Sequence, residues 1–101
     1  MLSLSIVLPA YNEEANVERA VNEVSMVAQQ MGIDHEIVLV NDGSADRTGE
    51  VAREIAGRIP NLRIVEHYPN RGYGGALKAG FEAASKELIA FFPADKQFDF
   101  R

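Results

Sequence analysis

The sequence predicts an α/β domain in three layers, helix–sheet–helix, around a four-stranded and mainly parallel sheet. Three observations predict it. Four short apolar runs rich in β-branched residues alternate with three stretches whose apolar residues recur every three or four positions. The run at 36–40, Glu-Ile-Val-Leu-Val, is apolar at nearly every position, as expected of a strand covered on both faces. The connections are short, which suits right-handed crossovers between parallel strands.

The elements follow in order. Ser5-Ile6-Val7-Leu8 is the first strand, closed by Pro9. Val17, Ala20, Val21, Val24, Val27, Ala28 and Met31 then mark an amphipathic helix over 13–31. Asn12 is its expected N-cap, Glu13 and Glu14 suit its positive start, and Gly32 is its stop. Residues 36–40 are the second strand. A second helix over 46–56 turns Val51, Ala52 and Ile55 inward and stops near Gly57. Residues 62–66 are the third strand. A glycine-rich loop over 70–75 leads into a third helix that reaches about Ser85, and 87–92 is the fourth strand.

Composition narrows the function. The chain has 101 residues, enough for one domain (1–101), with 47% hydrophobic and 25% charged residues. A net charge of -5 supplies no basic field for a nucleic-acid backbone, so no nucleic-acid partner is expected. Binding one nucleotide needs only local donors and stays open. With no cysteine, disulfides and thiolate metal sites are excluded, which suits a reducing cytoplasm. The N-terminal stretch turns polar after ten residues and reads as a strand, not a signal peptide. No apolar run approaches a membrane span.

In parallel α/β sheets, ligands bind beyond the carboxyl ends of the strands. Those ends carry PAYNEE, NDGSAD, YPNRGYGG and PADKQFD. In NDGSAD, Asp42 can accept hydrogen bonds from a base or a ribose, while Ser44 or Asp46 can cap the next helix. A plain capping turn explains the same residues. Tyr11 offers a ring face for a base and Glu13 a carboxylate beside it; packing on the loop and a helix-dipole role are the simpler alternatives.

NRGYGGALKAG fails the specific phosphate-loop tests. Leu77 stands where a dinucleotide fingerprint needs glycine, and Lys78 is followed by Ala79, not Ser or Thr. Its glycines suit close backbone approach to a ligand or a positive φ, and Arg71 could neutralise a phosphate or stay solvated. Asp95 and Gln97 place two oxygen ligands after a buried strand, enough for Mg²⁺ or Mn²⁺ completed by substrate phosphates and water; a polar turn is the alternative. His35 and His67 read as surface or strand-end residues. No Ser/His/Asp set can be assembled.

In series, PAYNEE, EIVLVNDGSADRT, NRGYGGALKAGF and ADKQFD resemble the N-terminal half of family 2 glycosyltransferases, which have the Rossmann-like GT-A fold. Within that family the sequence is most similar to polyprenol-phosphate sugar transferases of the dolichol-phosphate mannose synthase type. The resemblance implies transfer of a hexose from a UDP- or GDP-sugar to a polyprenyl phosphate. It implies that Pro9, Tyr11 and Glu13 hold the base and ribose, and that Val40 and Asp42 lie at the base. Ala94, Asp95 and Gln97 would hold the donor diphosphate, with Asp95 and Gln97 on a Mg²⁺ or Mn²⁺ ion and Asp95 the catalytic residue.

One position departs from the family pattern. Where the family has aspartate-alanine-aspartate, this chain has Pro93-Ala94-Asp95, and proline cannot ligate a metal. Asp95 is then the one carboxylate of the motif. A non-enzymatic or degenerate nucleotide-binding module is the rival reading. A dehydrogenase domain is disfavoured by the missing first-strand glycines. The resemblance further implies that the chain is the donor half of a longer enzyme, inactive alone and acting in the cytoplasm or at the cytoplasmic face of a membrane. An uncovered fourth strand would favour a homodimer.

Overall fold

A computed structural model describes residues 3–93. The element order is β1 (Ser3–Ala10), α1 (Val17–Gln30), β2 (Asp34–Asp42), α2 (Thr48–Ala56), β3 (Leu62–His67), α3 (Gly72–Ala83) and β4 (Leu88–Phe91). The sheet order is β3-β2-β1-β4, and every neighbouring pair is parallel. Two crossovers step outward from β1 to β3, and the third returns across the sheet to β4. With crossovers of one hand, α1 and α2 fall on one face and α3 on the other.

Strand alternation divides the core accordingly. Ile6, Leu8, Ile37 and Leu39 pack with Val17, Val21, Val24, Ala52 and Ile55 of α1 and α2. Val7, Val38 and Val40 pack with Ala76 and Leu77 of α3. The seat of α3 is close: a Cβ on Gly80 would lie 2.3 Å from Val7 Cγ1, so only glycine lets the helix come this near the sheet. β4 is an edge among the described residues, and Leu88, Ile89 and Phe91 are exposed.

Three expectations are corrected. Pro9 does not close β1 but lies inside it, paired with Val40. The Val7 carbonyl accepts the Phe92 N–H, so by alternation Pro9 turns its backbone to the same side, past the last β1–β4 partner. No ladder donor is lost there. The first helix starts at Val17, not residue 13, and Asn12 is not its cap. The Gly-rich segment 72–75 is the first turn of α3, not a loop before it.

Candidate functional site

β1 connects to β2 on one side and pairs with β4 on the other, so the strand order reverses there. Crevices at such a reversal, beyond the strand ends, are the usual ligand sites of open α/β sheets. A cleft of about 280 Å³ lies at this point, lined by Pro9, Ala10, Tyr11, Glu13, Asp42, Asn70, Gly72, Tyr73, Ala76 and Pro93. Residues from all four strand ends therefore meet in one place.

The loops that form it are tied to one another by hydrogen bonds. Asn12 adopts a left-handed conformation with φ of 52°, and its backbone N–H donates to Ser44 Oγ at 3.0 Å. The Glu13 N–H donates to Thr48 Oγ1 at 2.8 Å and the Glu14 N–H to Asp46 Oδ2 at 3.3 Å. In return the Ala45 N–H donates to Asn12 Oδ1 at 2.7 Å. The Ala45 N–H takes the Asn12 Oδ1, the acceptor a helix cap would need, so Asn12 ties the first loop to the second instead of capping α1. Asp46 also accepts the Thr48 N–H at 2.9 Å, but α2 starts at Thr48, later than expected, and its N-cap position is Arg47 and not Ser44 or Asp46. The third loop leans on the second. A Cβ on Gly43, where φ is +68°, would lie 2.5 Å from the Asn70 backbone nitrogen.

Asp42 stands at the centre, 3% exposed. Its Oδ1 accepts the Arg71 N–H at 2.8 Å and the His67 Nδ1 at 3.0 Å, and its Oδ2 accepts the Gly72 N–H at 2.8 Å. Burial alone would raise its carboxyl, but hydrogen bonds from Arg71, His67 and Gly72 outweigh it and hold the group below the usual aspartate range. Asp42 is thus an ionised acceptor. Four lone-pair positions less three bonds leave one, on Oδ2.

Of the sequence-predicted residues, Pro9, Tyr11, Glu13 and Asp42 line the cleft together. Tyr11 is 51% exposed there, with its ring available to a ligand. Val40 does not join them by its side chain, which is fully buried beneath α3 beside Gly80. Arg71 reaches the site by its backbone N–H, and its side chain is not among the lining groups. Ala94, Asp95 and Gln97 lie outside the described residues, directly after Pro93 at the cleft edge.

Sequence reasoning missed Asn70, Tyr73 and His67. Tyr73, 54% exposed, reaches the cleft because the glycine-rich segment is helical. His67 is not a surface residue but a buried partner of Asp42. Its signal was its place at the end of the third strand, as Asp42 ends the second. Among the described residues no three His, Cys, Asp or Glu side chains gather as a metal cluster. The oxygen donors that face the cleft, Glu13 and Asp42, are chemically suited to a hard cation, but Asp42 is already engaged. A divalent ion would need residues after Pro93.

The sheet order and the cleft at its reversal define a parallel α/β domain of the ligand-binding kind. The sequence profile of Glycosyl transferase family 2 matches residues 5–101, and the chain belongs to this family. It is 40% identical over 96 residues to an undecaprenyl-phosphate 4-deoxy-4-formamido-L-arabinose transferase of Edwardsiella ictaluri, covering 93% of this chain and 29% of that protein. To a dolichol-phosphate mannosyltransferase of Pyrococcus furiosus it is 32% identical, covering 95% of this chain and 26% of the relative. Among solved structures, the mannosyltransferase PcManGT from Pyrobaculum calidifontis, in complex with GDP-Man and Mn²⁺, superposes with a TM-score of 0.80 at 26% identity. That match covers 93% of this chain and 28% of the other. The chain spans under a third of the length of these relatives.

Proposed function

We propose that this chain is the nucleotide-sugar-binding part of an enzyme that transfers a hexose from a UDP- or GDP-sugar to a polyprenyl phosphate. The observation that carries the reading is the meeting of the four strand-end segments at one cleft around Asp42, in a chain of this family. Relatives named for lipid-phosphate acceptors support the acceptor class, and a neighbour solved with GDP-Man and Mn²⁺ supports the donor class.

In this reading the Tyr11 ring stacks on the base and the spare acceptor of Asp42 Oδ2 takes a base N–H. Pro9 and Glu13 flank the base and ribose, and Glu13 is held by a 3.0 Å hydrogen bond from Asn16 Nδ2. Val40 contributes only through its position beneath α3, and the Arg71 guanidinium, outside the cleft lining, would have to turn toward the diphosphate to neutralise it. Ala94, Asp95 and Gln97, which follow Pro93 in the sequence, are assigned the donor diphosphate by the family resemblance alone. Asp95 and Gln97 would hold a Mg²⁺ or Mn²⁺ ion, whose chemistry there is Lewis-acid neutralisation of the departing diphosphate. An oxygen of the acceptor phosphate attacks the anomeric carbon, and the bond from that carbon to the donor phosphate breaks.

A polyprenyl phosphate acceptor would place the full-length protein at the cytoplasmic face of a membrane. Among the described residues no helix is long and apolar enough to cross one. The exposed apolar residues of β4 support a homodimer of the 101-residue chain paired across that strand, and a strictly monomeric sedimentation profile of this chain at high concentration would remove that part.

The test is titration of the full-length protein with UDP, GDP and their sugars, with and without Mn²⁺. Saturable binding strengthened by Mn²⁺ is expected; a folded protein that binds none of them overturns the reading. Asp95→Ala should abolish transfer, and unchanged transfer would withdraw the metal role of Asp95.

A further inference from the structure

We infer that His67 is a positioning residue for ligand recognition by Asp42: it fills Oδ1 so that the carboxylate offers the cleft one acceptor, on Oδ2. The inference rests on the reading of the cleft as a nucleotide site. Asp42 and His67 are register partners at the carboxyl ends of β2 and β3. Their side chains, each 5% exposed, meet at 3.0 Å. A carboxylate can only accept, so His67 must carry its proton on Nδ1 and donate from there.

Capping the α3 N-terminus does not require this imidazole. Arg71 and Gly72 already donate their N–H groups to Asp42, one to each oxygen. The third bond, from His67, consumes the second acceptor position of Oδ1, and it comes from a ring that is not among the residues lining the cleft. His67 itself lines a second, polar cleft with Asn41, Ser44, Arg53, Glu66 and Tyr68. The imidazole therefore borders the second cleft and, through its bond to Asp42, sets the acceptor pattern of the first. A single fixed acceptor suits an imino N–H of a base and leaves the diphosphate to other groups.

Three forms of the full-length protein test this: wild type, His67→Leu and His67→Asn, whose amide can donate from near the place of Nδ1. Titrations use UDP, GDP and, in the presence of Mn²⁺, inorganic pyrophosphate. We expect His67→Leu to weaken the preferred nucleoside diphosphate about tenfold, the scale of one charge-assisted hydrogen bond, and to leave pyrophosphate unchanged. His67→Asn should restore most of the affinity. Equal losses for pyrophosphate and nucleoside diphosphate would show a merely structural role and overturn the inference, as would unaltered UDP and GDP binding in His67→Leu. Should wild type bind neither UDP nor GDP, the nucleotide reading itself falls, and the inference with it. Nitrogen-15 NMR of wild type should show the Nδ1–H tautomer; an Nε2–H tautomer would also overturn it.

Discussion

Two buried carboxylates sit at opposite ends of β2 on the face that receives α3, and they do different work. Glu36, at the amino end, receives Ser5 Oγ at 2.6 Å, the Ser85 N–H at 2.6 Å and Ser85 Oγ at 2.8 Å, all on Oε2, with Arg63 Nη1 at 3.4 Å on Oε1. Asp42, at the carboxyl end, receives Arg71, Gly72 and His67. One carboxylate fixes the chain leaving α3 and the other fixes the chain entering it. Val38 and Val40 fill the space between. The amino end is fastened for stability, whereas the carboxyl end is fastened and also keeps an acceptor at a cleft. The same device becomes a candidate site only where the loops leave a crevice beside it.

The largest effect should come from breaking the amino-end clamp. Glu36→Ala strands the donors of Ser5 and Ser85 in a site where Glu36 is 6% exposed and Ser5 fully buried. A loss of about 3–4 kcal/mol in denaturant unfolding is expected. A loss under about 1 kcal/mol would mean the network is replaceable by water.

Acid should show the same clamp without mutation. Burial works to raise the Glu36 carboxyl, but hydrogen bonds from Ser5, Ser85 and Arg63 bring it down from 4.5 to about 2. Its contribution is complete above pH 4.5 and is lost as pH falls from there toward 2. That contribution is about 3 kcal/mol by linkage. Asp42, also lowered, adds acid lability of the same sign. In Glu36→Gln the acid-dependent loss should shrink, and a stability–pH curve matching wild type would contradict the assignment.

The carboxyl end should separate stability from binding. Asp42→Asn sets an amide donor against one of the backbone N–H groups it now accepts, at a cost of about 2 kcal/mol. Nucleoside diphosphate affinity should fall more than tenfold, since the spare acceptor is compromised too. Glu36→Gln should lower stability and leave affinity in the folded protein intact. Equal weakening of binding by both substitutions would mean that the two carboxylates do the same work.

The contrast was only half legible in the sequence. The strand–helix alternation carried the fold, because apolar periodicity survives whatever the loops do. Pro9, Tyr11, Glu13 and Asp42 could be placed at one sheet edge because each lies at or just beyond the carboxyl end of a strand. What escaped was decided by bonds between distant segments. Asn12 looks like an N-cap until Ser44 and Ala45 engage it, and Glu36 looks like the polar start of a strand until Ser85 arrives from 49 residues away. The pattern Glu36, Val38, Val40, Asp42 on alternate positions was visible, and a charge at each end of an apolar strand face is the signal to seek. The glycines of 72–75 misled for a related reason. Poor helix formers by propensity, Gly74 and Gly75 lie in the first turn of α3, where Asp42 holds the N–H groups of Arg71 and Gly72, and Gly72 enters the helix at a φ of 82°.

The smallest expected effect concerns the base that accompanies each carboxylate. Arg63 and His67 lie four residues apart on the α3 face of β3, and their settings differ: His67 is the register partner of Asp42, whereas Arg63 pairs with Val38 and reaches Glu36 diagonally. The Arg63 side chain is half exposed and sits 3.4 Å from Glu36, whereas His67 is buried against Asp42. Solvent screens the arginine, so its ion pair is weak. Arg63 also donates to the Ala83 carbonyl at 2.9 Å at the end of α3, which adds a modest cap. Arg63→Met should therefore cost at most about 1 kcal/mol, partly recovered at high salt because screening already weakens the wild-type pair. Ligand affinity should not change. A loss as large as that of Glu36→Ala would mean that the arginine, and not the serine donors, holds the amino-end clamp closed.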